Sequence, residues 1–229
     1  GVMGPHSRAL LAGVTELDVT NEAFPFNSFK ACHIGHAKVT AQRLSYSGEL
    51  GWEIFVTPDF AEHVLERLLS AGAPLGVKLL GSEALNALRI EKGFLHWGHD
   101  MAYTESPHQV GLDFVCKIDK SPAFIGREAY LQRKSDANGP YLCSIRLRES
   151  APLMHHNEPV LRDGEIVGYL SSGGYGHSLG AAVGLGYVPC EGEKAAEVLA
   201  SSYEIDVKGT RIKAKASLKP MYDPKSEKL

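Results

Sequence analysis

No apolar stretch in the sequence approaches the roughly 20 residues that cross a bilayer, and its start carries no charged n-region followed by an apolar h-region. The expectation is a soluble, cytoplasmic protein, or one of the mitochondrial matrix if the source is eukaryotic. Cysteine is scarce: Cys32, Cys116, Cys143 and Cys190 form no C-x-x-C and have no His at metal-ligand spacing. That pattern favours free thiols in a reducing compartment over a disulfide framework or a zinc site, and no metal is expected. Charge of one sign is also lacking, with 24 basic against 27 acidic residues, a net charge of −3 and no run of five like charges. Nucleic acid and anionic membranes are therefore disfavoured as partners. Three nucleotide and hydrolase signatures are missing: G-x-G-x-x-G after a strand, G-x-x-x-x-G-K-S/T and G-x-S-x-G. Their absence excludes dinucleotide, P-loop and nucleophile-elbow readings.

What is present is an ordinary globular composition, 44% hydrophobic and 22% charged, in a chain long enough for one large or two smaller domains. The opening GVMGPHSRALL has no initiator Met and reads as the end of a strand entering a helix over His6 to Gly13, with Leu10 and Leu11 inward. A piece of a longer polypeptide is expected. Strands are predicted around Phe26 to His33, Ala37 to Leu44 and Trp52 to Val56. A helix comes next, with Thr57 as N-cap, Pro58 at its first position, a Phe60, Val64, Leu65, Leu68, Leu69 stripe, and Gly72 as its stop. A second helix is predicted from Ser82 to about Lys92, with Ala84, Leu85 and Leu88 on one face and Gly93 ending it. Strands near Val77 to Leu80 and Leu112 to Lys117 would flank these helices, which makes the region α+β.

KSDANGP, residues 134 to 140, reads as a linker and divides the chain into 1–138 and 139–229. Beyond it only short strands are expected: Tyr141 to Arg148, Glu158 to Leu161, Glu165 to Ser171, Ala182 to Val188, Tyr203 to Val207 and Arg211 to Ser217. Asp163-Gly164 and Lys208-Gly209 are hairpin turns between them. A small antiparallel barrel or sandwich results.

Two groups with suggestive chemistry have bland readings. The glycines of SSGGYGHSLG resemble a phosphate loop, but no helix pattern comes after them, so a glycine-shaped barrel turn is favoured. His96, His99 and Asp100 in HWGHD lack a third ligand at fixed spacing, and His155-His156 are read as solvent-facing. The stretch 45-SYSGELGWEIF-55 is richer. Tyr46 ends one strand, Gly48 and Gly51 allow a turn, and Glu53 enters the next strand among apolar neighbours. A partly buried carboxylate needs a partner. Arg89 is a candidate that would neutralise Glu53, and a solvated surface Glu is the other simple reading.

The strings 44-LSYSGELGWEIFV-56, 84-ALNALRIEKGFLHWGHDM-101, 106-SPHQVGLDF-114 and 124-FIGREA-129 together resemble the glycine-cleavage T-protein family, and most of all the folate-binding carboxyl-terminal part of dimethylglycine and sarcosine dehydrogenases. The closing strings 167-VGYLSSGGYGHSLGAAVGLGYVP-189 and 219-KPMYDP-224 resemble that family's terminal barrel, so the likeness covers essentially all 229 residues. It implies an α+β folate-binding region, ferredoxin-like and lacking its amino-terminal portion, over 1–138, and an antiparallel β-barrel over 139–229. Tetrahydrofolate is the implied cofactor, with Glu53 at the pterin-binding Glu of the family, Tyr46 lining the same pocket, Trp97 where Tyr is usual, and Arg89 supporting acidic groups nearby. A carboxylate accepts both N–H donors of the pterin edge in bidentate fashion.

The implied activity is aminomethyltransferase-type capture of one carbon from a small methylated amine or its iminium as 5,10-methylenetetrahydrofolate, within a larger oxidoreductase. FAD would belong to a missing amino-terminal domain. No catalytic residue is expected in this chain, since the family's acidic residue lies upstream. Two further departures are 84-ALNALR-89, which keeps only the later Arg of the family's A-R-D-S-L-R, and Gly139-Pro140-Tyr141 in place of a basic pair or triplet. The alternative is a non-catalytic folate-binding scaffold or docking domain of the same fold.

Overall fold

Period-two alternation of apolar residues builds the amino-terminal sheet. In the computed structural model, which describes residues 1–135, 139–148, 152–190, 192 and 195–229, the chain divides into two compact units. The first is Gly1–Leu85 with Lys225–Leu229, and the second is Asn86–Pro224. Three residues of the expected linker, 136–138, lie outside the described residues.

The first unit contains β1 (Val2–Met3), α1 (Ser7–Ala12), β2 (Phe29–Ile34), β3 (Ala37–Gln42), β4 (Gly51–Phe55) and α2 (Pro58–Gly72). Its strands form one antiparallel sheet in the order β1-β4-β3-β2. Cys32 and Ile34 of β2, Ala37, Val39 and Ala41 of β3 and Trp52 of β4 point to one side, where they pack with Leu11 of α1 and Val64 of α2. Successive residues of a strand face opposite ways. The register pairs Phe29 with Gln42, Gln42 with Glu53, Ala31 with Thr40 and Thr40 with Phe55, so these six residues share the face turned away from that core.

The stripe on α2 is only partly used: Val64 is buried, whereas Phe60 and Leu65 are exposed. Thr57 has the extended backbone of an N-cap but its hydroxyl makes no capping bond, and the first turn closes through the Phe60 amide to the Thr57 carbonyl at 3.0 Å. Gly72 is the last residue of α2, as expected, but it does not take the left-handed φ of a stop glycine. The chain continues through a 3₁₀ turn, Ala73–Leu75, and stops at Gly76 with a φ of 74°. Gly72 serves packing instead, since a Cβ there would come within 2.7 Å of Val77.

Neither flanking strand forms. Residues 77–81 are irregular, with Leu79 and Leu80 exposed, because the four-stranded sheet offers them no neighbour. Over 112–117 the chain turns on itself as a 3₁₀ helix, Asp113–Val115, whose carboxylate at Asp113 is held by His108, Tyr130 and Lys134. Burial raises the Asp113 carboxyl, but the Tyr130, His108 and Lys134 hydrogen bonds outweigh it and hold the group below the usual carboxylate range.

The second unit begins within α3 (Ser82–Glu91) and adds α4 (Arg127–Ser135), α5 (Ala195–Ala200) and six strands. These are β5 (Tyr141–Leu147), β6 (Pro159–Arg162), β7 (Glu165–Gly176), β8 (Ala181–Val188), β9 (Tyr203–Val207) and β10 (Thr210–Ser217). They close into an antiparallel barrel in the order β10-β5-β8-β7-β6-β9, around Ile145, Leu147, Val160, Leu170, Ile205 and Ile212. The fold is therefore α+β with a terminal β-barrel. Asp163-Gly164 and Lys208-Gly209 form the two hairpin turns with positive φ at all four residues, the two-residue geometry that matches strand twist. The glycines at 173, 174 and 176 do not make a turn. They lie within β7, which outruns its expected end by five residues.

The two unexpected helices are short. In α4 an acid in the first turn and Arg133 and Lys134 in the last complement the helix dipole.

Candidate functional site

The chain leaves β3 at Gln42 and returns as β4 at Gly51, so eight residues join the strands rather than a tight turn. Arg43 anchors the start of this loop: its amide bonds Ser28 O at 2.8 Å, its carbonyl accepts from the Asn27 amide at 2.9 Å, and its guanidinium reaches Phe24 O at 2.8 Å. Serine hydroxyls then turn the chain, with the Gly48 amide on Ser45 Oγ at 3.1 Å and the Glu49 amide on Ser47 Oγ at 3.4 Å. Gly48 takes a left-handed φ of 81°. Gly51 is required for another reason: a Cβ would meet Met3 Cγ at 2.7 Å and the carbonyls of Leu44 and Val2 at 3.1 and 3.2 Å, because β1 lies directly against it. Tyr46 sits in this loop, half-buried, not at a strand end.

Trp52 sets the facing of β4. It is fully buried, edge-on to Phe24 at 6.1 Å, with the Arg8 and Arg43 guanidiniums 5.3 and 5.8 Å from its ring. With Trp52 locked into the core, its neighbour Glu53 is set on the opposite face. There the carboxylate is half-buried beside Gln42, and Phe29 and Phe55 stand on the same face, 70% and 52% exposed. Among the described residues no hydrogen bond or ion pair engages Glu53. A half-buried acceptor on a face that carries Phe55 two residues along its strand and Phe29 two strands away suits a flat heterocycle that presents N–H donors along one edge.

In the second unit the part of α3 that is buried is its mostly charged end and not the face of Ala84, Leu85 and Leu88 expected to be apolar. Arg89, Ile90, Glu91 and Lys92 are all buried, while Ala84 is exposed and Leu85 and Leu88 are only half-buried. Each charge has its partner, as burial demands. Glu91 Oε1 accepts from the Leu179 amide at 2.7 Å, and Lys92 Nζ donates to Asp223 O at 2.6 Å and Oδ2 at 2.9 Å. Arg89 is committed to Asp100: its guanidinium meets Asp100 Oδ2 and also donates to Asn86 Oδ1 at 2.9 Å, Phe94 O at 3.2 Å and Ser172 Oγ at 2.8 Å.

Asp100 in turn gathers the Ser171 and Ser172 hydroxyls, both at 2.6 Å, and the His96 amide at 2.9 Å. Burial pushes its carboxyl up, but these hydrogen bonds and the Arg89 charge together hold it below the usual carboxylate range. The Asp100 carbonyl accepts from Tyr187 OH at 2.7 Å. Arg89 thus holds an acidic group in place, and the group is Asp100.

This arrangement pins the turn His96–Asp100, on which Trp97 stands 64% exposed. The His96 and His99 rings lie 5.9 Å apart and His99 and His156 6.1 Å. Among the described residues no set of His, Cys, Asp and Glu is arranged to hold a metal ion. The cysteines are free, three of them buried, and burial pushes the Cys143 thiol up to about 12.

Sequence reasoning named Asp100 only within HWGHD, without its partner Arg89, and did not single out Gln42 or the Ser171-Ser172 hydroxyls. For Asp100 a signal existed, since Arg89 lies on a predicted helix with no acid three or four residues before it. Gln42 was reachable only through the strand register.

Residues 1–120 match the model of the GCVT N-terminal domain, and residues 141–223 that of the glycine cleavage T-protein C-terminal barrel domain. The chain is 38% identical over 229 residues to 4-methylaminobutanoate oxidase (formaldehyde-forming) of Paenarthrobacter nicotinovorans, covering 100% of this chain and 27% of that protein. It is 33% identical over 231 residues to human mitochondrial sarcosine dehydrogenase, covering 100% of this chain and 25% of that protein. The chain therefore spans about a quarter of the length of these relatives. The crystal structure of the glycine cleavage system aminomethyltransferase T from Bartonella henselae superposes with a TM-score of 0.80 at 24% identity, over 96% of this chain and 58% of that one, and so shares the fold. Both halves of the sequence and the architecture agree: the chain belongs to the glycine cleavage T-protein family.

Proposed function

We propose that this chain is a tetrahydrofolate-binding, aminomethyltransferase-type module in which Glu53 holds the pterin. One observation carries the reading: a half-buried carboxylate without a partner among the described residues, on an open sheet face that also carries the exposed Phe55, two residues along the strand, and Phe29, on the far side of Gln42. The relatives' names support the substrate class. One is an oxidase that forms formaldehyde and the other a dehydrogenase of sarcosine, so the donor here is a small methylated amine or its iminium. When bound, tetrahydrofolate supplies two nitrogens that take up a carbon at the formaldehyde level.

The chain's own residues contribute orientation and shielding. Glu53 fixes one edge of the ring, and proximity of this kind lowers the barrier without a catalytic group. Phe29 and Phe55 offer apolar walls that keep water from a reactive electrophile. Arg89 acts as a positioning residue, holding Asp100 and through it the turn that displays Trp97. FAD, in a longer protein of the kind its relatives are, is held by residues outside these 229.

The test is calorimetric titration of tetrahydrofolate into the intact protein. Hydrogen bonds to a charged group contribute about 1.5–3 kcal/mol each, so Glu53→Ala, which loses two, is expected to weaken binding by at least about 100-fold. A variant that binds as tightly as the parent removes Glu53 from the site.

A further inference from the structure

Glu53 does not stand alone on its face. In the antiparallel ladder it is the direct partner of Gln42, which places the two side chains on the same side with Cβ atoms about 4.5–5.5 Å apart. Both are half-buried, and among the described residues no hydrogen bond or ion pair engages either side chain. A carboxylate offers only acceptors, whereas a carboxamide offers two donors and one acceptor. An amide rotated with its NH₂ on the Glu53 side, the sense that a neighbouring negative charge favours, sets a donor beside the two acceptors.

A pterin carries the complement in the same order. Its 2-amino group and N3–H are adjacent donors, and the 4-oxo group beside them is an acceptor. We propose that Gln42 donates to the 4-oxo oxygen while Glu53 takes the two N–H groups, so that the pair selects 4-oxo over 4-amino pteridines. The proposal rests on the folate reading of Glu53 and adds to it a specificity-determining residue. A 4-amino ring turns a donor toward the amide's donor and leaves N3 without its proton, so both contacts fail together. Thr40, the next residue of β3 on this face, pairs with Phe55 and lies beside the aromatic wall rather than the carboxylate.

The experiment measures the affinities of the intact protein for tetrahydrofolate and for 4-amino-4-deoxytetrahydrofolate, in the parent, Gln42→Ala, Gln42→Met and Glu53→Ala. The parent is expected to favour the 4-oxo ligand by at least about tenfold. Both Gln42 variants are expected to lose about tenfold for tetrahydrofolate and to narrow that gap, leaving the part that Glu53 contributes through N3–H. Gln42→Met keeps the side chain's length, so it separates lost recognition from lost packing, and circular dichroism of each variant monitors the fold. A parent without the gap, or a gap as wide in both Gln42 variants as in the parent while Glu53→Ala weakens both ligands, overturns the assignment of Gln42 and leaves the folate reading intact. A parent that binds neither ligand overturns both.

Discussion

Arg89 and Asp100 are the residues whose removal should hurt stability most. Both are buried, and each is the other's counter-ion, so a single truncation leaves an uncompensated charge in the interior. Arg89→Ala is expected to cost roughly 3–5 kcal/mol in chemical denaturation, and Asp100→Ala a similar amount. The pair also sets an acid limit. Since the folded Asp100 carboxyl lies below its ordinary value of 3.8, its contribution is complete above that value and fades as pH falls below about 4 through the folded pKa. The midpoint of acid unfolding should therefore move to higher pH in Ser172→Ala, which removes one of the hydroxyls that hold the carboxylate ionised. An unchanged midpoint would show that Asp100 does not set it. The neutralisation of Glu53 by Arg89, open on sequence grounds, loses its motive because the guanidinium is already occupied by Asp100, Asn86, Phe94 and Ser172.

At the scale of elements, Gly51 is the joint between β1 and β4. A methyl there meets backbone oxygens on two sides, and Gly51→Ala is expected to destabilise by roughly 1–3 kcal/mol. Hydrogen exchange should show the loss locally, as faster exchange of the Gly4 amide, which bonds Leu50 O at 2.8 Å. Unchanged exchange there would mean that β1 is not held by this contact. The strands were legible where local chemistry suffices: alternation in Ala37–Gln42, and Asp-Gly and Lys-Gly at the hairpins. They were not where a partner decides. Residues 77–80 have strand-like composition but no neighbouring strand, and β7 runs on through glycines because β8 pairs with it as far as Gly176. The buried face of α3 was misread for the same reason. Periodicity locates apolar stripes, and this helix with the residue after it buries three charges whose partners lie outside the helix, the Leu179 amide and Asp223 among them.

For the whole molecule, the residues proposed for the site are divided between two units. Tyr46 and Glu53 belong to the first, Arg89 and Trp97 to the second. Glu53 was visible in the sequence because its strand is otherwise apolar, while its companions on the open face depend on a register that no local pattern specifies. The central claim is that this face of the β2-β3-β4 sheet receives the pterin. Hydrogen–deuterium exchange of the intact protein with and without tetrahydrofolate tests it directly, peptide by peptide. The expected result is ligand-dependent protection in peptides covering 29–42 and 51–55, abolished by Glu53→Ala. Protection confined to other segments, or retained in Glu53→Ala, would contradict it.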